Sequence, residues 1–264
     1  MPTPTDTTAA RQSDRQLLTA WLLLLVEDEG YGWALRRRLE EHGVRVDPAA
    51  VYRRLRHLER AGLLVSHWTK SDAGPQRRLY RTTPKAQAAL DEAAAAIRDI
   101  RDVHAAFQRA YEDSKERASS RDPGANGWVT AGEPAAGSTG GRPTAAVRLE
   151  RELLAAWLLL LLDGGASYGY GLRRRLERHG IDVEPAGMYR ALRQLERDGW
   201  LESRWLAPAD GPARHFYRLT RRGRRNLDEV ARMITRIHDT HDAFVRAYEQ
   251  SRAQRWPVDA RQAG

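Results

Sequence analysis

The chain repeats itself. Residues 31–114 and 168–251 align without a gap at a constant offset of about 137, and about half of the aligned positions are identical. YGWALRRRLEEHGVRVDPAAVYRRLRHLERAGLL in the first copy answers to YGYGLRRRLERHGIDVEPAGMYRALRQLERDGWL in the second. The segments just upstream, LLTAWLLLLV at 17–26 and LLAAWLLLLL at 153–162, match once a single residue is inserted. Two copies of such length give two equivalent domains of about a hundred residues each, not a solenoid. A duplicated domain on one chain points to a symmetric dimer whose halves have been joined covalently.

Hydrophobic residues make up 41% of the chain, enough for two modest cores, and there is no cysteine. Disulfides and thiolate metal sites are thereby excluded, and a reducing cytoplasm is the expected location. No basic-then-apolar leader precedes the first copy. The apolar runs at 17–26 and 153–162 are about half the length needed to span a bilayer, so buried helices and no membrane partner are expected. The formal net charge of +9 suits a polyanionic partner. That charge is almost all arginine (the lysines are Lys70, Lys85 and Lys115 alone), in a chain rich in alanine. A GC-rich genome would impose the same bias, so the placement of the charge says more than its sum.

Residues 1–13 are polar, with Pro2 and Pro4, and are expected to be disordered. The first domain is expected over 14–114, the second over 148–252, and a loose tail over 253–264. Between the domains, 115–147 is rich in Gly, Ala, Pro, Ser and Thr, lacks apolar periodicity apart from Trp128 and Val129, and reads as a flexible linker.

Within each copy the apolar helix is followed by a turn with Gly. A second helix, LRRRLEEHG or LRRRLERHG, ends at Gly43 or Gly180, a C-terminal cap position. Pro48 and Pro185 suit the first turn of a third helix. There Val51, Leu55 and Leu58, matched by Met188, Leu192 and Leu195, fall at i, i+4, i+7 and form an inward stripe. The opposite face carries Arg53, Arg56, His57 and Arg60, or Arg190, Arg193, Gln194 and Arg197, and the helix stops at Gly62 or Gly199. LLVSHWT and RRLYRTT, joined by a turn containing Gly74 and Pro75, read as a hairpin, as do WLESRWL and RHFYRLT joined through Gly211 and Pro212. A long helix then begins near Thr83 or Thr220. Ile97, Ile100, His104, Phe107 and Tyr111, and likewise Ile234, Ile237, His241, Phe244 and Tyr248, recur at steps of three and four. Such spacing makes a seam for another helix, and the other copy's seam is the expected partner.

A helix pair with a basic outward face, followed by a two-stranded hairpin, is the pattern of a winged helix-turn-helix, in which arginines on an exposed helix can read base edges in the major groove. The motifs YGWALRRRLE and YGYGLRRRLE, VYRRLRHLERAGLL and MYRALRQLERDGWL, and SHWTKSDAGPQRRLYRTT and SRWLAPADGPARHFYRLT resemble those of the PadR-like family of bacterial transcription regulators. The resemblance covers nearly all of both copies. It implies a mostly α fold with small β-hairpin wings: two winged helix-turn-helix domains, each with a long C-terminal helix, forming a pseudo-two-fold dimer. It also implies a repressor that binds double-stranded DNA at an inverted repeat. Carried over residue by residue, it makes 48–60 and 185–197 the recognition helices and places Tyr52 and Tyr189 toward DNA. Where the family has a proline after that tyrosine, this chain has Arg53 and Arg190, so a relative's base preference does not transfer. The implied DNA-binding set is Tyr52, Arg53, Arg56, His57, Lys70, Arg77 and Arg78 in the first copy, and Tyr189, Arg190, Arg193, Gln194, Arg214 and His215 in the second.

The copies have diverged. Arg54 becomes Ala191, His57 becomes Gln194, and Lys70 becomes Ala207. An imperfect palindrome, with its second half more weakly held, is therefore expected.

A second candidate site is aromatic. Trp21 and Trp157 lie on matched first helices, and His104, Phe107, Tyr111, His241, Phe244 and Tyr248 lie on the seams. Family resemblance implies a planar or hydrophobic effector at the centre of the dimer, and the arginine-rich surface also admits a nucleotide effector. The same residues are compatible with core packing. His238, His241 and His104 lack a completing carboxylate or thiolate, so no metal is expected, and no cofactor or enzymatic activity is expected either: Walker A, full dinucleotide, HExxH and Gly-x-Ser-x-Gly motifs are all absent. A competing reading keeps the fold as a small-molecule-binding protein that sequesters such a compound and has lost DNA binding. A closed monomer is expected, although an uncovered seam would allow a domain-swapped dimer of two chains.

Overall fold

The computed structural model describes residues 6–26, 30–71, 74–119, 151–207 and 213–255. The first copy runs α1 (Asp6–Leu25), β1 (Gly30–Tyr31), α2 (Gly32–Glu41), α3 (Pro48–Arg60), β2 (Leu64–Ser71), β3 (Gly74–Thr82) and α4 (Pro84–Ser119). The second runs α5 (Arg151–Asp163), β4 (Ser167–Tyr168), α6 (Gly169–Arg178), α7 (Pro185–Arg197), β5 (Leu201–Leu206), β6 (Arg214–Leu219) and α8 (Arg221–Arg255). The chain is thus mostly helical, with two small antiparallel sheets of order β1-β3-β2 and β4-β6-β5.

Local chemistry sets the helix ends. Asp47 caps α3 by accepting a hydrogen bond from the Ala49 N–H at 3.2 Å, with Pro48 at the first position. Glu184, its counterpart before α7, makes no such side-chain bond. Gly43, Gly62, Gly180 and Gly199 follow α2, α3, α6 and α7 with φ of 78°, 71°, 73° and 73°. The next residue then bonds back to the helix, as in Leu63 N–H to the Leu58 carbonyl at 2.9 Å and Trp200 N–H to the Leu195 carbonyl at 2.9 Å. Glycine adopts this left-handed geometry without the Cβ penalty, which is why each helix stops where it does.

The inward stripe of each recognition helix is buried: Val51, Leu55 and Leu58 in α3, and Met188, Ala191, Leu192 and Leu195 in α7. Each packs with the apolar first helix, α1 or α5, in its own core.

The chain forms two compact units whose limits differ from the boundaries expected at 114 and 252. The first comprises residues up to Arg101 together with those from Asp239, and the second comprises Asp102–His238. Each unit therefore contains the end of the other copy's long helix. In the first unit Phe244 of α8 is fully buried and meets the Trp21 ring edge-on at 5.3 Å. In the second, Phe107 of α4 does the same to Trp157 at 5.4 Å. The seam aromatics thus pack on the opposite copy's first helix, in cores that also hold a seam residue of the facing long helix, Ile97 in the first unit and Ile234 in the second.

Other expectations are corrected locally. Residues 6–13 are helical, because Ala9, Ala10, Arg11 and Gln12 are strong helix formers that extend a helix already nucleated by its apolar half. For the same reason α4 continues to Ser119, into the expected linker, and α8 to Arg255, into the expected tail. Gly74 and Pro75 belong to β3, not to the turn, with Ser71 paired to Gly74. The linker beyond Ser119, Trp128 with it, and Gly211 and Pro212 lie outside the described residues. The short third strand of each sheet was not foreseen: Gly30 and Tyr31 pair with Tyr80 and Leu79, and Ser167 and Tyr168 with Tyr217 and Phe216.

Candidate nucleic-acid interface

The outward faces of α3 and α7 present the same groups. Tyr52 and Tyr189 are 43% and 41% exposed, and Arg53, Arg56, His57, Arg190 and Arg193 are exposed beside them. The two tyrosines are held by glycine: a Cβ added at Gly32 would fall on the Tyr52 ring, and one at Gly169 on the Tyr189 ring. The Tyr-Gly dipeptide that opens each second helix thus leaves room for the aromatic side chain of the third. Arg53 pairs with Asp47 at 3.3 Å and Arg190 with Glu184 at 3.9 Å. Both pairs are solvent-exposed, so they hold the guanidiniums weakly and leave them available to an anion. Gln194 is engaged along its own helix, donating to Asp198 at 2.9 Å and accepting from Arg197 at 2.6 Å.

The wings are fastened to the recognition helices by a polar strut, and the strut differs between copies. In the first, Arg78 donates to both Glu59 carboxylate oxygens at 2.9 Å and to Ser66 Oγ at 2.8 Å, while Ser66 donates to Glu59 at 2.6 Å. In the second, His215 stands in place of Arg78. Ser203 donates to Glu196 at 2.5 Å, His215 Nε2 lies 2.8 Å from Ser203 Oγ, and its Nδ1 lies 3.1 Å from the Tyr217 hydroxyl. A neutral ring protonated at Nε2 satisfies all three bonds at once. Burial is the main cause that raises the Tyr217 hydroxyl above its ordinary range, followed by the Glu196 charge, so it stays a donor to that ring.

Arg78 and His215 therefore serve as struts. The outward wing cations are Lys70, Arg77 and Arg214, all exposed. Arg77 lies 5.8 Å from the centre of the Trp33 ring, and Arg214 lies 4.8 Å from that of Tyr168. Between the first recognition helix and its wing, Arg53, Arg56, Glu59, Arg60 and Arg78 line an open cleft of about 490 Å³. Four guanidiniums face one carboxylate there, so the cleft carries an excess of positive charge, with its single acid already bonded to Arg78.

The aromatic set separates by unit. Trp21, His241, Phe244 and Tyr248 belong to the first unit, and Trp157, His104, Phe107 and Tyr111 to the second. Trp21 and Trp157 are fully buried and also pack on His42 and His179, at 4.6 and 4.7 Å. His104 and His241 are buried. Tyr248 donates to Asp91 at 2.7 Å and Tyr111 to Asp228 at 2.5 Å. Arg252 reaches the same Asp91, and Lys115 reaches Asp228 at 2.9 Å. Burial pushes the Asp91 and Asp228 carboxyls up, but the hydrogen bonds from these tyrosines and cations together hold both below the ordinary carboxylate value.

Sequence reasoning missed the Glu59 and Glu196 struts and four exposed aromatics, Trp33, Trp68, Tyr170 and Trp205.

Three helices closed by a small sheet, with a basic outward face on the third and a hairpin fastened beside it, define a winged helix-turn-helix, a DNA-binding class. The model of the transcriptional regulator PadR-like family matches residues 22–92 and again 158–229, together more than half of the chain, so the chain belongs to that family and carries its domain in tandem. It is 42% identical to the transcriptional regulator Rv3488 of Mycobacterium tuberculosis over 74 residues, which cover 28% of this chain and 68% of that protein. Among solved structures it is similar to a PadR family transcriptional regulator from Eggerthella lenta (29% identity, TM-score 0.31, covering 35% of this chain and 81% of that one). It is also similar to a PadR-like transcriptional regulator from Bacillus cereus (25% identity, TM-score 0.33, covering 34% and 88%). Among the described residues no helix is long and apolar enough to cross a membrane.

Proposed function

We propose that the chain is a cytoplasmic repressor that uses both recognition helices on one DNA site, an imperfect inverted repeat. The observation that carries this reading is the recurrence of an exposed Tyr-Arg-x-x-Arg face on α3 and on α7, each beside an arginine-bearing wing. Two copies of one reading head on one chain suit two half-sites, and their divergence suits half-sites that differ. The first head is the stronger: its wing carries Lys70, where the second has Ala207, and its cleft is lined by four arginines.

An effector, planar and apolar or a nucleotide, would act by altering the fit of the two heads to their half-sites. The competing reading, a sequestering protein without DNA binding, is the weaker one. Trp21 and Phe244, and Trp157 and Phe107, are packed on each other where a ligand would have to stack.

The test is to mix the purified full chain with fragmented genomic DNA at two salt concentrations and sequence what is retained. One or a few degenerate inverted repeats persisting at the higher salt are expected. Retention without sequence preference that vanishes with salt would overturn the reading, because phosphate contacts alone behave that way.

A further inference from the structure

The wings expose two indoles that the core does not use. Trp68 is 64% exposed and Trp205 is 70% exposed. In β2, Leu64, Ser66 and Trp68 share one face of the sheet, since side chains alternate along a strand. Leu64 is buried in the core and Ser66 is bonded to Glu59 of α3, so this is the face turned toward the recognition helix. Trp68 stands two residues further out on it, about 7 Å beyond Ser66, directly across from Arg78. The second copy repeats the placement: Leu201 is buried, Ser203 is bonded to Glu196 of α7, and Trp205 lies across from His215. There the indole is stacked on the imidazole, with ring centres 5.0 Å apart and planes 10° from parallel.

A flat apolar group held outward on the recognition-helix side of a wing, in the first copy across from Arg78 of the arginine-lined cleft, matches the surface of a nucleic acid better than that of a protein. Aromatic groups interleaved with cations meet sugars and bases through their faces while the cations meet phosphates. We propose that Trp68 and Trp205 contact DNA directly, each laying its indole against the sugars of the minor groove that flanks the segment entered by its own recognition helix. This rests on the DNA-binding reading above and adds an apolar component to it. Trp205 is preoriented by its stacking on His215, so that ring is presented with little ordering on binding.

The test uses the full chain and a DNA fragment retained in the genomic selection, with affinity measured across a range of salt. Trp68→Ala is expected to weaken binding about tenfold at every salt concentration, with the slope of log affinity against log salt unchanged, because an apolar contact displaces no counterion. Arg56→Ala, by contrast, is expected to flatten that slope by about one. Trp68→Phe keeps an aromatic face and is expected to recover most of the loss, with Trp205→Ala and Trp205→Phe behaving alike. Since both indoles are largely solvated, thermal melting of the alanine variants should match the parent. Alanine variants that bind as the parent does, or that lose affinity only through a changed salt slope, would overturn the indole contact and leave the DNA-binding reading standing. A parent chain that retains no specific DNA would overturn both.

Discussion

Tyr248 donates a hydrogen bond of 2.7 Å to Asp91, a residue 157 positions earlier in the chain. Tyr111 makes the equivalent bond to Asp228 in the other unit. Each bond fastens the end of one copy's long helix to the start of the other's. Tyr248→Phe is expected to lower the unfolding free energy by about 1 kcal/mol, the usual net worth of such a bond. Tyr111→Phe should cost a similar amount, and the two effects should add, since they lie in separate units. Urea titration followed by far-ultraviolet circular dichroism checks this.

The same carboxylates fix a pH dependence. Asp91 and Asp228 titrate below the ordinary value of 3.8 when folded. Their contribution to stability is therefore present in full above that value and is lost as pH falls through the lower folded value. Asp91→Asn and Asp228→Asn should be less stable than the parent at about pH 6, and the difference should shrink below about pH 3. Chemical denaturation at a series of pH values measures it. A difference that widens on acidification would reverse the sign of the argument.

Glu59 holds Arg78 by two hydrogen bonds of 2.9 Å across 19 residues, and with it the wing. Glu59→Gln should loosen the hairpin, leaving Arg77 and Arg78 more open to trypsin while the helical core keeps its circular dichroism. Glu196→Gln should loosen the second wing in the same way. Cleavage sites and rates read by mass spectrometry decide the matter.

Gly32→Ala is expected to destabilise the fold by about 1–3 kcal/mol and to weaken DNA binding, because the new methyl displaces the Tyr52 ring. In a Tyr52→Ala background the same substitution should cost little. The double-mutant cycle in melting and in DNA affinity isolates this single contact.

The two heads are expected to differ in weight. Replacing Arg53 and Arg56 together by alanine should weaken binding to the selected DNA more than replacing Arg190 and Arg193. Equal losses in a fluorescence-anisotropy titration would count against the asymmetry of the operator.

Much of this was legible in the residues. The glycines at 43, 62, 180 and 199 mark helix ends because φ near +75° is costly for any other residue. The buried stripe of α3 follows from the spacing of Val51, Leu55 and Leu58, and the outward arginines follow by exclusion. Periodicity was silent on the partner of Phe107 and Phe244: a three-four spacing says that a helix face is covered, not by which element. It was silent too on Glu59, whose bond to Arg78 depends on the register of β2 against β3 and on where α3 ends. The strand at Gly30 and Tyr31 is too short to have a period at all.

Because Phe244 closes the pocket around Trp21 and Phe107 the one around Trp157, neither copy could keep its core dry with its own residues alone. Were the copies separate chains, each would have to find the other in solution, and dilution would pull them apart. Joined in one polypeptide, they are always present one to one, and their local concentration no longer depends on how much protein the cell makes. At a site bound by a single chain, as proposed above, occupancy would then rise with the first power of protein concentration, without the assembly threshold that a regulator built from two free chains must cross.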